Sequence, residues 1–222
     1  MRTLSSNKAD AIKTFIAEPQ FPCVGAKAAL NQGLLNIFVA GDLRDSAADA
    51  SILQALEKFA EGVSKDKVFA SFFVTFPDTP PLSEIEFENA LWQRLQALHD
   101  IDREHSEWDS RVSSDPQSPD FGMSLVGRGF YVVGLHPNAS RPARRFGQAA
   151  LAFNLHSQFA QLKAEGRYDK LRGTISGRDA ALAGSNNPML AAHGVLSEAV
   201  QYSGRVVGDE WTCPFKAGAR SS

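Results

Sequence analysis

Two histidines and three arginines are concentrated in the stretch from Gly129 to Phe159, which reads GFYVVGLHPNASRPARRFGQAALAFNLHSQF. His136 follows one apolar run of this stretch, and His156 follows the next. An imidazole can ligate iron, act as a base, or only hydrogen-bond its surroundings. Because Pro137 keeps the preceding backbone extended, we expect His136 to be presented rigidly at the edge of a sheet. Both histidines are therefore candidates for the functional centre, at a shared edge where two predicted strands end.

The loop between the two apolar runs carries Arg141, Arg144 and Arg145. A guanidinium binds planar anions through paired hydrogen bonds, so this cluster suits a carboxylate or phosphate group. A solvated loop paired with acidic residues explains the same cluster equally well. In the segment SEAVQYSGR, Glu198 is a candidate carboxylate for a cationic group, and an ordinary ion pair with Arg205 is the alternative.

Several common functional signatures are absent from the sequence: the Gly-rich phosphate loops, G-x-S-x-G, C-x-x-C and H-E-x-x-H. The formal net charge of −2 provides no basic field for nucleic acid or an anionic membrane. The first residues lack the apolar segment of a secretory signal, and no window approaches the ~20 apolar residues of a membrane span. We therefore predict a cytoplasmic protein whose Cys23 and Cys213 are reduced thiols.

Hydrophobic patterning predicts the elements that position these residues. Strands are predicted at 34–40, 68–76, 123–135 (one strand or a pair) and 149–155. Helices are predicted at 5–17, 46–63, after the capping box of Ser83 and Glu86, from Ser157, and at 189–202. Because strands and helices mix without strict alternation, the predicted class is α+β. We expect a single domain over residues 1–222, with a mixed, mostly antiparallel sheet and helices packed around it.

Six segments, taken in order, resemble the YqcI/YcgG family. They are FPCVGAK (21–27), GLHPNASRPARRF (134–146), FNLHSQF (153–159), NPML (187–190), SEAVQYSGR (197–205) and WTCPF (211–215). Some members of that family are haem-dependent oxygenases that N-hydroxylate guanidine or amine groups, including the guanidine of arginine. Val200 departs from the family's pattern, which more often has arginine there, so the substrate need not be the same.

The resemblance implies a haem b enzyme with a histidine ligand to the iron, and His136 and His156 are the two candidates. The predicted catalytic residues are His136, His156 and Glu198, the last as partner of a cationic substrate. The predicted cofactor contacts are Arg141, Arg144 and Arg145 for the propionates, together with Phe153 and Asn154.

The predicted function is therefore that of a haem-iron monooxygenase acting on a small, amino-acid-like substrate, for which arginine is the model. Two alternatives stay open: a haem- or anion-binding protein without turnover, such as a sensor or carrier, and a cofactor-free hydrolase or transferase with His136 as base. Neither nucleic acid nor membrane is an expected partner, and the sequence leaves a homodimer open.

Overall fold

The computed structural model describes residues 2–64, 67–190 and 195–218. The helices are α1 (Arg2–Ala17), α2 (Val24–Asn31), α3 (Asp49–Gly62), α4 (Glu84–Asp102), α5 (His156–Ala164), α6 (Tyr168–Ala183) and α7 (Ala199–Tyr202). The strands are β1 (Leu35–Val39), β2 (Ser71–Phe76), β3 (Met123–Leu125), β4 (Arg128–Leu135) and β5 (Ala149–Leu155). Short 3-10 turns occupy Ser46–Ala48 and Pro142–Arg144.

The five strands form one sheet in the order β1-β2-β5-β4-β3. The β1–β2 pairing is parallel, as the helical crossover through α3 requires, and the other three pairings are antiparallel. The predicted α+β class with a mixed, mostly antiparallel sheet is confirmed. In the described part of the chain, no helix has the length and apolar character needed to cross a membrane.

The two faces of the sheet pack against different helices, because successive side chains of a strand point to opposite faces. On the first face, Leu151 and Phe153 of β5 join a core with α3, α4 and the segment 211–215. On the second face, Ala150 and Ala152 join a core with α1 and α2. The second face extends beyond these two helices toward α5 and α6. An open space lies between this part of the sheet and the helices.

The long loop between α4 and β3 is held against the sheet by Asp109. Gly129 N–H donates to Asp109 Oδ2 at 2.7 Å, and Arg111 binds both carboxylate oxygens. Burial raises the pKa of Asp109, but the bonds from Arg111 and Gly129 outweigh it and lower that pKa to about 2. Because Phe121 at the end of the loop is buried in the first-face core, the loop is part of the packed structure.

Two further expectations have opposite outcomes. Cys23 and Cys213 are free thiols, as predicted, and they pack against opposite faces of the sheet. The predicted helix over 189–202 is wrong for residues 189–190 and 195–198, because the only helix there among the described residues is α7. Residues 191–194 of that prediction lie outside the described residues.

Candidate functional site

A cavity of about 250 Å³ lies between the second face of the sheet and helices α2, α5 and α6. Its walls are mainly apolar. Both the sheet and the helices contribute aliphatic and aromatic side chains. The apolar lining includes Phe73, Val133, Ala152, Phe159, Leu162, Leu171 and Ile175. We call this space the large cavity.

The polar lining of the large cavity includes Cys23, Tyr131, Arg144 and Asn154. Asn154 Oδ1 accepts a hydrogen bond from the Ser71 hydroxyl at 2.7 Å, which fixes the amide against the sheet. Asn154, a predicted cofactor contact, is thus in the cavity wall. Its neighbour Phe153 is not, because strand alternation turns that ring into the first-face core.

A second space of about 180 Å³, the small cavity, adjoins the large one and shares Tyr131, Phe159 and Ile175 with it. Its charged or titratable lining includes His156, Lys163, Tyr168, Arg172 and Glu198. The small cavity therefore brings together two predicted site residues, His156 and Glu198, with two cationic side chains that the sequence did not single out.

Glu198 is held by two donors. His156 Nε2 lies 2.9 Å from Glu198 Oε1, and the Tyr202 hydroxyl donates to the same oxygen at 2.6 Å. Burial first, and then the charge of Glu198, raise the pKa of Tyr202 well above its usual value, so the hydroxyl keeps its proton and remains a donor. Gly122 is required beside this pair, because a Cβ there would lie 2.7 Å from His156 Nε2.

The two histidines do not share an edge of the sheet, contrary to the expectation from sequence. Strand β4 pairs with β5 in antiparallel register, with Leu135 opposite Ala150 and Phe130 opposite Leu155. His136 therefore follows β4 at one end of the pair, and His156 follows β5 at the other. In this register His156 is level with residue 129, seven residues along β4 from His136, or about 24 Å.

The His136 side chain is buried against helix α4, and it is not among the described residues that line either cavity. Its ring stacks on Phe87 with centroids 4.2 Å apart and planes 18° from parallel. Its Nδ1 is buried and has no hydrogen-bond partner among the described residues. Burial, outweighing the nearby charge of Glu84, lowers the pKa of His136 to about 4. The ring is thus a neutral packing group, and its predicted catalytic and iron-ligand roles stay predictions.

We expect acid sensitivity from His136. Its pKa is about 4 in the folded protein and about 6.5 when unfolded, so the unfolded chain binds the proton first as pH falls. The stability contributed by the neutral ring is complete above about pH 6.5 and is lost progressively toward pH 4, by about 3 kcal/mol in total. Urea unfolding at about pH 7 and pH 5 measures this loss.

The matched variants are His136→Phe, which keeps the stacking on Phe87, and His105→Gln, which removes an exposed histidine. His136→Phe should flatten the decline of unfolding free energy between the two pH values, and His105→Gln should leave it as in the wild type. Equal declines in all three proteins would contradict the assignment.

The three arginines separate rather than converge on one ligand. Arg141 is buried and forms an ion pair with Asp179 of α6 at 2.5 Å. Arg144 donates to the carbonyl of Gly134 at 2.9 Å while lining the large cavity, and burial lowers its pKa. Arg145 is exposed and donates to carbonyls of its own loop. Of the three, Arg144 alone reaches a cavity, and the predicted propionate contacts stay predictions.

Sequence reasoning missed Cys23 as a lining residue. Its sulfur caps α2 by accepting the Ala26 N–H at 3.4 Å. The signal was present in the sequence, since Pro22 and Cys23 directly precede an alanine-rich helical stretch, where a capping side chain is expected. Lys163 and Arg172 carry no such signal, because they reach the small cavity only through the packing of α5 and α6.

These residues fit a haem group in the two cavities. Haem needs apolar walls, an axial ligand and cations near its propionates. The large cavity has apolar walls, with Arg144 as a cation, and Cys23 has a ligating atom there; His156 has one in the small cavity. The described residues include no group of three or more His, Cys, Asp or Glu side chains suited to a bare metal ion, but haem needs only one axial side chain from the protein.

Comparison with known proteins gives one match. The family model described as the YqcI/YcgG family matches residues 12–216, a span that contains every described residue lining the two cavities. The search of curated proteins and the search of solved structures each found no match.

Proposed function

Since the chain belongs to the YqcI/YcgG family, we propose that it is a haem-dependent oxygenase that N-hydroxylates a guanidine or amine group of a small, amino-acid-like substrate. One observation carries the proposal: a mainly apolar cavity adjoins a small cavity in which Glu198 lies near cationic side chains. The first space suits a cofactor with apolar faces, and the second suits a zwitterion with an additional positive group. The proposed location is the cytoplasm, where both thiols stay reduced.

In this proposal the large cavity holds the haem, and Arg144 lies where a propionate needs a cation. When bound, haem supplies the oxygen chemistry that amino acid side chains lack. The substrate occupies the small cavity. Glu198 binds its guanidinium or ammonium group, and Lys163 and Arg172 bind its carboxylate. The apolar side chains shared by the cavities keep water away from the reacting nitrogen.

The His156–Glu198 pair manages the proton of the substrate. An ammonium nitrogen has no lone pair, and the lone pairs of a guanidinium are delocalised over the cation, so either group must lose a proton before its nitrogen can react readily with an oxidant. The Glu198 carboxylate is the base nearest to a cation bound in the small cavity, and His156 Nε2, 2.9 Å away, holds that carboxylate in place. Tyr202 fixes the same oxygen from the buried side. The pair therefore positions and deprotonates the nitrogen.

A visible absorption spectrum of the protein produced with a haem precursor tests the proposal, followed by product assays with arginine and other amines. We expect a Soret band that shifts on reduction and on addition of carbon monoxide, and an N-hydroxylated product. A haem-containing protein that forms no oxidised product with any amine would favour the sensor or carrier. A colourless protein that also fails to take up added haem would favour the cofactor-free hydrolase or transferase.

A further inference from the structure

Cys23 faces the large cavity from a position set by local backbone structure. Its backbone is extended (φ −74°, ψ 96°) and it is the N-cap of α2, so its sulfur replaces the usual capping oxygen. Sγ accepts the Ala26 N–H at 3.4 Å, and the Gly25 N–H is a second donor. Backbone donors and the positive end of a helix stabilise a thiolate over a thiol.

The surroundings of Cys23 combine apolar walls with one cation. Phe21, Phe69 and Phe73 line the same cavity, and a Cβ at Gly25 would lie 3.4 Å from the Phe69 ring and 3.9 Å from Cys23 Sγ. Gly25 therefore lies between the Phe69 ring and the sulfur, and its lack of a side chain keeps that part of the cavity wall thin. Burial raises the pKa of the thiol and outweighs the two N–H donors and the charge of Arg144, so the side chain is a protonated thiol until iron takes the place of the proton.

The other side chains with ligating atoms near the cavities either lie in the small cavity or are bonded to side-chain partners. His156 Nε2 is bonded to Glu198 in the small cavity. In the wall of the large cavity, the Tyr131 hydroxyl donates to Gln201 Oε1 at 2.8 Å, and Asp179 is ion-paired with Arg141. Among the described residues that line the large cavity, Cys23 differs because its Sγ accepts hydrogen bonds from backbone N–H groups. A thiolate bound to a metal can keep such bonds, so Cys23 can bind iron without losing them.

We infer that Cys23 is the axial ligand of the haem iron, in place of either histidine; this inference rests on the proposed haem-dependent function. On binding, the thiol releases its proton to solvent, a sulfur–iron bond forms, and a water leaves the ferric iron, with no change in oxidation state. The N–H donors of α2 and the charge of Arg144 stabilise the bound thiolate. A thiolate ligand would supply electron density to the iron, which suits the oxygen chemistry of an oxygenase.

The test is the spectrum of the reduced, carbon-monoxide-bound protein, reconstituted with haem b. Thiolate ligation moves the Soret band of this complex far to longer wavelength than imidazole ligation does, and the spectrum does not depend on turnover. We expect the wild type to show the long-wavelength band. Cys23→Ser should lose it while remaining folded, since a serine hydroxyl is a good N-cap. Cys213→Ser, which makes the same change in the first-face core, should retain it.

Each other outcome overturns the inference in a distinguishable way. A wild-type complex with an imidazole-type band refutes thiolate ligation by itself, whatever the variants do, and leaves the proposed function in place. A long-wavelength band that survives Cys23→Ser and disappears in Cys213→Ser would show that Cys213, and not Cys23, is the ligand. A wild type that binds no haem removes both this inference and the proposed function.

Discussion

Arg141→Ala is expected to lower the free energy of unfolding by about 3–5 kcal/mol, the usual cost of removing one partner from a buried ion pair. Both Arg141 and Asp179 are buried, and the guanidinium also donates to the carbonyl of Ser185 at 2.9 Å. Without it, the buried Asp179 carboxylate loses its ion-pair partner. Urea unfolding of the haem-free protein, followed by circular dichroism, measures the loss.

The control is Arg145→Ala, which removes an exposed arginine from the same loop. Arg145 donates to the neutral carbonyls of Ala139 and Ser140, so its removal leaves no buried charge behind, and we expect a loss of about 1 kcal/mol or less. Because the experiment uses haem-free protein, a propionate contact cannot contribute to it. If Arg141→Ala loses no more stability than Arg145→Ala, the ion pair does not hold α6 against the loop.

Glu198→Gln is expected to lower the turnover number for N-hydroxylation by about 10²- to 10⁴-fold, the range attributed to a positioned acid or base. The amide keeps the shape of the side chain and an oxygen for the Tyr202 hydroxyl. It cannot take a proton from the substrate, and it carries no charge to attract a cation. The Michaelis constant should therefore rise as well, and steady-state product assays give both constants.

Glu165→Gln is the matched control. This glutamate follows α5, is exposed, and is ion-paired with Arg167 at 2.7 Å, away from both cavities. We expect its turnover and haem spectrum to match the wild type. A Glu198→Gln protein with an unchanged spectrum and wild-type turnover would exclude Glu198 as the base. Thermal unfolding of both variants separates such a result from a general loss of structure.

The local structure was largely predictable from the sequence because it depends on neighbouring residues. The apolar run 149–155 predicted the bounds of β5, and the Ser83–Glu86 capping box marked the start of α4. The helix predicted over 189–202 fails at residues 195–198, where Glu198 binds His156, a residue far away in the sequence. Such tertiary bonds override helical periodicity and have no local signature.

The sequence by itself determined the α+β class, the family and the positions of most strands and helices, because hydrophobic periodicity and capping are local properties. Only the tertiary structure decided which of the candidate residues meet. Antiparallel pairing of β4 and β5 separated His136 from His156, and strand alternation placed Phe153 in the core beside Asn154 in the cavity wall. The tertiary structure also brought Cys23, which lies more than 100 positions earlier in the sequence than these residues, to the large cavity.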